Sequence, residues 1–205
     1  MVFPLEFAIR LYLLKFTMYL NCLVEELHSL CRDIKNYCGD KRMRRTILQN
    51  IVIGCYRHQR LYEMNLFLNK IFGATVGISI LQVFIQLTVD AFFACFHLSG
   101  HISVLGKYGV SLIPTLTILL VTLISSKECM DAAKRIPVAV HSIKHKVTDL
   151  KLAILIENFS LQLLHEKIVF DAKGFVILDC NLLRGMLSSI TTYMVFFIQL
   201  APQYN

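Results

Sequence analysis

Between Ile71 and Val89 the chain reads IFGATVGISILQVFIQLTV, a stretch of 19 residues without a charged side chain. Beyond the single carboxylate of Asp90, the apolar run continues to Phe96. A helix needs about 20 mainly apolar residues to cross the roughly 30 Å hydrocarbon core of a bilayer. The sequence therefore predicts a membrane-spanning helix over residues 71–96.

Three further segments have the length of a membrane span. Residues 108–126 are 19 uncharged residues between Lys107 and Lys127, and residues 185–205 are 21 uncharged residues that predict a span over about 185–203. Residues 2–24 are apolar but contain three charged side chains, those of Glu6, Arg10 and Lys15. One such charge at the bilayer centre costs about 2.5–3.5 kcal/mol, so this segment is either a span packed against partners or an interfacial amphipathic helix. We favour the span.

The overall composition excludes most soluble proteins. Hydrophobic residues make up 56% of the 205 positions and charged residues only 17%, whereas soluble domains carry roughly a quarter charged residues. The net charge of +7 does not indicate nucleic-acid binding, because the basic residues lie between long apolar runs and not along one face with interleaved aromatics. We predict a lipid environment and no nucleic-acid partner.

The placement of lysine and arginine predicts the orientation. Residues 25–69 carry eight of them and residues 127–181 carry eight more, but the short connection of residues 97–107 carries one. Because basic loops stay on the cytoplasmic side, both long polar segments are predicted to be cytoplasmic and the C-terminus extracellular. The predicted fold class is all-α: a multi-span cell-membrane protein with cytoplasmic helical extensions.

The two cytoplasmic segments have the periodicity of amphipathic helices that pack together. Apolar residues recur at roughly helical spacing in both: Leu23, Leu27, Leu30 and Ile34 in the first, and Leu152, Leu155, Ile156, Phe159, Leu163 and Leu164 in the second. We expect residues 25–69 and 127–181 to form a cytoplasmic bundle that continues the spans.

Two sets of polar residues occur inside predicted spans. Ser189, Thr192, Phe196 and Gln199 are spaced 3, 4 and 3 residues apart, so they lie along one side of the last helix. Polar residues there either hydrogen-bond to neighbouring helices or line a water-filled path. Gln82, Gln86 and Asp90 stack similarly at intervals of four residues. They are candidates for a ligand cavity or for structural pairing with another helix.

The chain shows no catalytic or metal-binding motif. His141 and His145 are four residues apart, as are His97 and His101, but the HExxH pattern requires Glu after the first His, where this chain has Ser142 and Leu98. The seven cysteines include no CxxC pair. We predict no enzyme activity, no metal site and no cofactor.

Residues 192–200, in the last predicted helix, read TYMVFFIQL: a Thr-Tyr pair, five hydrophobic residues, a Gln and Leu200. This resembles the signature of the insect gustatory receptor family, which is Thr-Tyr, five hydrophobic residues and Gln-Phe. Eight of the nine positions match, and the departure is Leu200. The preceding segment is also similar to the family's, at Leu161-Gln162-Leu163-Leu164-His165, Phe170, Ala172, Gly174-Phe175, Leu178-Asp179 and Leu182-Leu183.

The resemblance implies a seven-span receptor that assembles into homo- or hetero-tetramers with other gustatory receptor subunits and gates a non-selective cation pore in response to a small-molecule tastant. This chain would supply the last four spans, so we expect a truncated product or a fragment. The resemblance places Gln199 and Leu200 at the pore constriction, with Thr192 and Tyr193 deeper along the same helix, and it favours pore lining for that helix. It also implies a cytoplasmic anchor, so Leu155 and Phe159 are expected on a face buried between subunits. The alternative is a non-channel accessory subunit that assembles with full-length receptors.

Overall fold

The chain folds into five α-helices in the computed structural model, which describes residues 2–37, 44–96, 102–144 and 149–200. Helix α1 is Val2–Tyr37, α2 is Arg44–Phe96, α3 is Ile102–Lys144, α4 is Leu150–His165 and α5 is Cys180–Leu200. Within the described ranges, β pairing is limited to an isolated antiparallel bridge between Asp171 and Ile177. The predicted all-α class is confirmed.

Helix α1 buries one narrow stripe along its length. The buried residues recur every seven positions in two interleaved series: Leu13, Leu20, Leu27 and Ile34, and Phe16, Leu23 and Leu30. Such a repeat keeps the same helix face against its neighbours over many turns. Of the three charges in the predicted first span, Lys15 is exposed and Arg10 is half-buried, and the side chain of Glu6 lies outside the described residues.

Helix α2 is much longer than a bilayer is thick. Its 53 residues extend about 80 Å at 1.5 Å per residue, against a hydrocarbon core of about 30 Å. The stretch Ile47–Val89 is apolar enough to cross a membrane, but Arg57, Arg60 and Lys70 all precede Ile71. The charge-free part of α2 therefore begins at Ile71, where the sequence predicts the span to begin, and residues 44–70 precede it in the same helix.

The other predicted spans also lie within helices. A second stretch long and apolar enough to cross a membrane is Phe7–Asn36 in α1. Helix α3 contains residues 108–126, and α5 contains residues 185–200. Residues 201–203, and the side chains of residues 108–112, lie outside what the structure describes. Length and composition alone fit a buried helix of a soluble protein too, so whether all four cross the membrane stays a prediction from the sequence.

One compact unit is formed by Met1–Phe16, Phe72–Ile124 and Asp171–Asn205. Aromatic rings meet near its centre: the ring centroids of Phe16 and Phe72 are 5.2 Å apart and those of Tyr12 and Phe72 are 6.0 Å apart. Helices α2, α3 and α5 bury apolar residues in this unit: Val76, Val83, Leu119, Leu123, Met186, Ile190 and Met194.

The second compact unit is formed by Thr17–Ile71 and Ser125–Phe170. It contains most of the predicted cytoplasmic segments, whereas residues 171–181 belong to the first unit. Its described residues are helical except Asp149 and residues 166–170, and residues 38–43 and 145–148 lie outside the described residues. Its core includes Leu27 and Leu30 of α1, Leu61 of α2, Ile136 and Val140 of α3, and Ile156 of α4. At its surface, the Arg57 guanidinium pairs with Asp33 at 2.7 Å and with Glu26 at 3.2 Å, which ties α2 to α1.

Helix α4 corrects one expectation. Asp149 caps its first turn by accepting a hydrogen bond from the Lys151 amide at 3.1 Å. Of the six apolar residues predicted to pack, Leu152, Ile156, Phe159 and Leu163 are buried, Leu155 is half-buried and Leu164 is 60% exposed. The Phe159 ring lies 6.2 Å from the His58 ring of the same chain. Phe159 is therefore a core residue of its own chain, and its expected place between subunits is wrong.

Candidate functional site

Helix α5 carries the predicted pore residues, and its start is fixed by Asp179. The carboxylate Oδ1 of Asp179 accepts hydrogen bonds from the amides of Asn181 at 2.9 Å and Leu182 at 3.2 Å. An aspartate in this position satisfies amides that have no partner in the first helical turn. The orientation of α5 from its first turn is thus set by a short polar cap next to the membrane segment.

Two faces of α5 differ sharply in burial. Met186, Ile190 and Met194 follow each other at intervals of four residues and are buried. The stripe of Ser189, Thr192, Phe196 and Gln199 is centred about 140° around the helix from that face, at 100° per residue. Thr192 and Gln199 are exposed, Phe196 is 55% exposed and Ser189 is half-buried.

The structure thus brings most of the predicted pore residues to one open side of α5. Tyr193, at 48% exposure, lies at the edge between the stripe and the buried face. The side chain of Leu200 lies outside the described residues. The Thr192 hydroxyl donates to the Ser188 carbonyl at 3.0 Å, which leaves its oxygen lone pairs directed outward as acceptors. No charged residue occurs between Gly185 and Leu200, so this side of α5 carries no formal charge.

The second predicted set lies on α2. Gln82 and Gln86 are both half-buried, next to a packed face that includes Ser79, Ile80 and Val83. The side chain of Asp90 lies outside the described residues. Two amides at the edge of a packed face can pair with protein groups or contact a ligand, so ligand binding and structural pairing are both retained as predictions for this set.

A buried polar cluster joins α2 to the end of α4, outside the predicted spans. His58 is 2% exposed, and its Nδ1 lies 3.4 Å from the Glu166 carboxylate, without the geometry of a hydrogen bond. Gln162 donates to Glu166 at 2.8 Å and, more weakly, to the Cys55 carbonyl at 3.4 Å. Burial lowers the pKa of His58, and this outweighs the opposing effect of the Glu166 charge. The imidazole is therefore neutral at pH 7.

Two glycines of α2 pack against the backbone of the segment that precedes α5. A Cβ atom built at Gly73 would lie 3.1 Å from the Asp171 carbonyl oxygen and 3.2 Å from the Lys173 nitrogen. A Cβ at Gly77 would lie 3.2 Å from the Cβ of Ala172. The missing side chains let the segment before α5 approach α2 closely, so these glycines position the entry to the last helix.

The described residues bring together no group of three or more His, Cys, Asp or Glu side chains able to hold a metal ion. His141 is exposed, and His97, His101 and His145 lie outside the described residues.

The sequence analysis missed the His58 cluster and the glycine pair. A histidine within an apolar helix and the GxxxG spacing of Gly73 and Gly77 were the available signals. Neither identifies its partner, because Gln162 lies 107 residues from Cys55 in the sequence, and the backbone facing the glycines is about as distant.

Comparison with known proteins gives the family. The model of the family described as 7tm Chemosensory receptor matches residues 7–204. The chain is similar to two Drosophila melanogaster proteins over most of its length: candidate gustatory receptor 2a, at 25% identity over 69% of this chain and 39% of the relative, and gustatory receptor for bitter taste 66a, at 23% identity over 71% and 29%. A shorter segment is 44% identical to gustatory receptor 23a of the same organism, over 22% of this chain and 12% of that protein.

The chain spans 39% and 29% of the length of the first two relatives. The family match covers nearly the whole chain, including the two stretches among the described residues that are long and apolar enough to cross a membrane. These matches confirm the resemblance found in residues 192–200 and account for the low charged fraction by a location in the cell membrane. This chain belongs to the 7tm chemosensory receptor family and is related to the insect gustatory receptors.

Proposed function

We propose that this chain forms part of a gustatory receptor subunit, a ligand-gated non-selective cation channel in which α5 lines the pore. The subunit assembles as a homo- or hetero-tetramer with other gustatory receptor subunits and detects a small-molecule tastant. One of the similar proteins is named as a receptor for bitter taste, which supports a bitter compound as the ligand class.

The polar side of α5 is the observation that carries this proposal. Its hydroxyl and amide groups are exposed on the side away from the buried Met186–Met194 face. Exposed polar groups in a membrane segment are costly against lipid, so they favour protein or a water-filled path. Four copies of α5 around one axis would supply such a path, with Gln199 and Leu200 at its narrowest part.

The tastant is proposed to bind beside α2, near Gln82, Gln86 and Asp90. The side-chain amides of the two glutamines are half-buried. They can hydrogen-bond to a small molecule and fix its orientation, as the few polar groups of a binding site do. A movement of α2 on tastant binding would be transmitted to α5 by the segment that packs on Gly73 and Gly77.

Ligand-evoked current in a full-length background, made by grafting residues 151–205 onto a working relative, tests the pore. Leu200→Ala removes four apolar groups from a constriction that blocks ions by excluding water, so basal current should rise. Gln199→Ala removes four polar groups next to the passing ion, so conductance or selectivity should change at equal surface expression.

Tyr193→Phe is the matched control, because it keeps the ring and removes only the hydroxyl; it should affect packing more than permeation. Wild-type current and selectivity in both Gln199→Ala and Leu200→Ala would show that α5 does not line the pore. Normal assembly with full-length receptors but no current would instead support the accessory-subunit alternative.

A further inference from the structure

The segment between α4 and α5 contains a short hairpin, Asp171–Ile177, whose second half, beyond the residues that pack on α2, has no role in the proposed channel function. An antiparallel bridge joins its two ends, and the Ala172 amide donates to the Val176 carbonyl at 2.9 Å. The turn passes through Lys173 at φ 57° and Gly174 at φ 79°. This left-handed pair reverses the chain tightly, and glycine takes up the conformation without strain.

The hairpin presents three apolar side chains away from the protein. Its backbone at Asp171–Lys173 packs against α2 at Gly73 and Gly77, so its stem is held in place. Phe175, Val176 and Ile177, here called the hairpin tip, are 87%, 37% and 53% exposed. A phenylalanine at such exposure beside two further apolar residues forms a small patch that water solvates poorly.

Around the hairpin tip, the basic side chains are exposed, whereas the acidic side chains are hydrogen-bonded or half-buried. Lys173 and Arg184 are exposed, whereas the Asp179 carboxylate is occupied by the first amides of α5. Asp171 is half-buried. The surface beside the tip therefore offers apolar groups together with free cations, the combination that binds the interface of a membrane with anionic lipids.

The hairpin tip also lies close to the membrane segment along the chain. Ile177 is three residues before Cys180, the first residue of α5, which limits their separation to about 10 Å. The predicted span begins five residues later, about 8 Å along the helix. The interfacial layer of a bilayer lies within this range of its hydrocarbon core.

We propose that the hairpin tip inserts into the lipid interface of the leaflet from which α5 enters the membrane, with Lys173 and Arg184 among anionic headgroups. This rests on the proposed function only in taking α5 as a membrane span. The tip would fix the depth of the α5 entrance, because α5 begins directly after it and is capped there by Asp179.

A single tryptophan tests the location directly, because the chain contains none. Phe175→Trp and Ile177→Trp, made separately in the full chain, are reconstituted in vesicles of phosphatidylcholine with phosphatidylserine. We expect blue-shifted emission, quenching several-fold stronger by lipids carrying a nitroxide near the headgroup than near the acyl end, and weak quenching by iodide. Tyr56→Trp, an exposed position on α2 outside the predicted span, is the matched control and should be quenched by iodide and not by the lipids.

Each other result overturns the proposal. Iodide quenching equal to that of Tyr56→Trp for both tip reporters places the tip in water. Shielding from both iodide and labelled lipid places it against a second copy of the chain. Lipid quenching that is unchanged by Lys173→Gln and by omission of phosphatidylserine would show that anionic headgroups do not contribute to the insertion of the tip. None of these readouts needs an ion current, so failure of the channel assignment and failure of lipid insertion are seen separately.

Discussion

At the scale of single residues, His58 combines deep burial with an incompletely satisfied polar atom. Its ring packs against Phe159 and its Nδ1 faces Glu166 at 3.4 Å. Because burial lowers the pKa of His58 below its ordinary value of 6.5, the unfolded chain binds the proton more tightly than the folded chain. The stabilising effect of the neutral imidazole is therefore complete above pH 6.5 and is lost as the pH falls through the folded-state pKa.

This predicts a loss of thermal stability on acidification. The free energy of unfolding should fall below pH 6.5 by at most about 1.4 kcal/mol per pH unit, measured as the helix-melting midpoint in detergent micelles. His58→Gln should flatten that pH dependence while keeping a polar group. His165→Gln, at an exposed position in α4, is the control and should behave as wild type. Equal acid sensitivity in wild type and His58→Gln would assign the effect to other groups.

The glycines of α2 give a second prediction at this scale. Gly73→Ala puts a methyl group 3.1–3.2 Å from backbone atoms of residues 171 and 173, which have little room to move, and should cost about 1–3 kcal/mol of stability. Gly54→Ala in the same helix meets side chains only at 3.9–4.0 Å. It should be stabilising by about 0.5–1 kcal/mol because alanine favours helix over glycine. Melting midpoints of the two variants that move in the same direction would contradict this difference.

At the scale of helices, α4 is apolar on two sides. Leu152, Ile156, Phe159 and Leu163 pack inward, while Leu150, Ile154, Leu161 and Leu164 remain exposed on the opposite side. Helical periodicity in the sequence locates the inward face but does not tell which partner covers the second one. The periodicity alone is therefore compatible with a subunit contact at Phe159, whereas the structure places Phe159 in the core of its own chain.

The exposed side of α4 is therefore where we expect contact between subunits. Ile154→Asp with Leu161→Asp should abolish crosslinked tetramers, because burying two unpaired charges in an interface costs several kcal/mol, while membrane insertion and helix content persist. Phe159→Asp is the contrasting variant: it should unfold the second unit and lower helix content. Tetramers that survive the double substitution would place the assembly contact on another helix.

The sequence predicted the helices well and the contacts between them poorly. Runs such as residues 71–89 determine a helix locally, because uncharged residues over that length have few alternatives in a membrane. The Thr192–Leu200 signature led to the correct family and to the side of α5 that is exposed. The packing of the hairpin on the glycines of α2 and the His58–Glu166 pair both join residues about 100 positions apart, so no local sequence pattern predicts them.

At the scale of the whole molecule, the distribution of basic residues predicts the orientation of the chain in the membrane. Sixteen of the 21 lysine and arginine residues lie in residues 25–69 and 127–181. The second unit contains most of these two segments, whereas Lys173 belongs to the first unit. We therefore expect residues 97–107 to face the exterior, α5 to run outward, the second unit to face the cytoplasm and the C-terminus to face the exterior.

Glycosylation mapping tests this topology. Asn158-Phe159-Ser160 is the one N-x-S/T acceptor in the sequence, and Asn158 is exposed on α4 in the second unit. Glycan transfer occurs only on the luminal side, which becomes the exterior, so the native chain should show no mobility shift on glycosidase treatment. A flexible extension with one acceptor site, appended after Asn205, should be modified, and the shift should disappear when its Asn is replaced by Gln. A shift in the native chain that is lost in Asn158→Gln, with the extension left unmodified, would invert the orientation and place the second unit outside the cell.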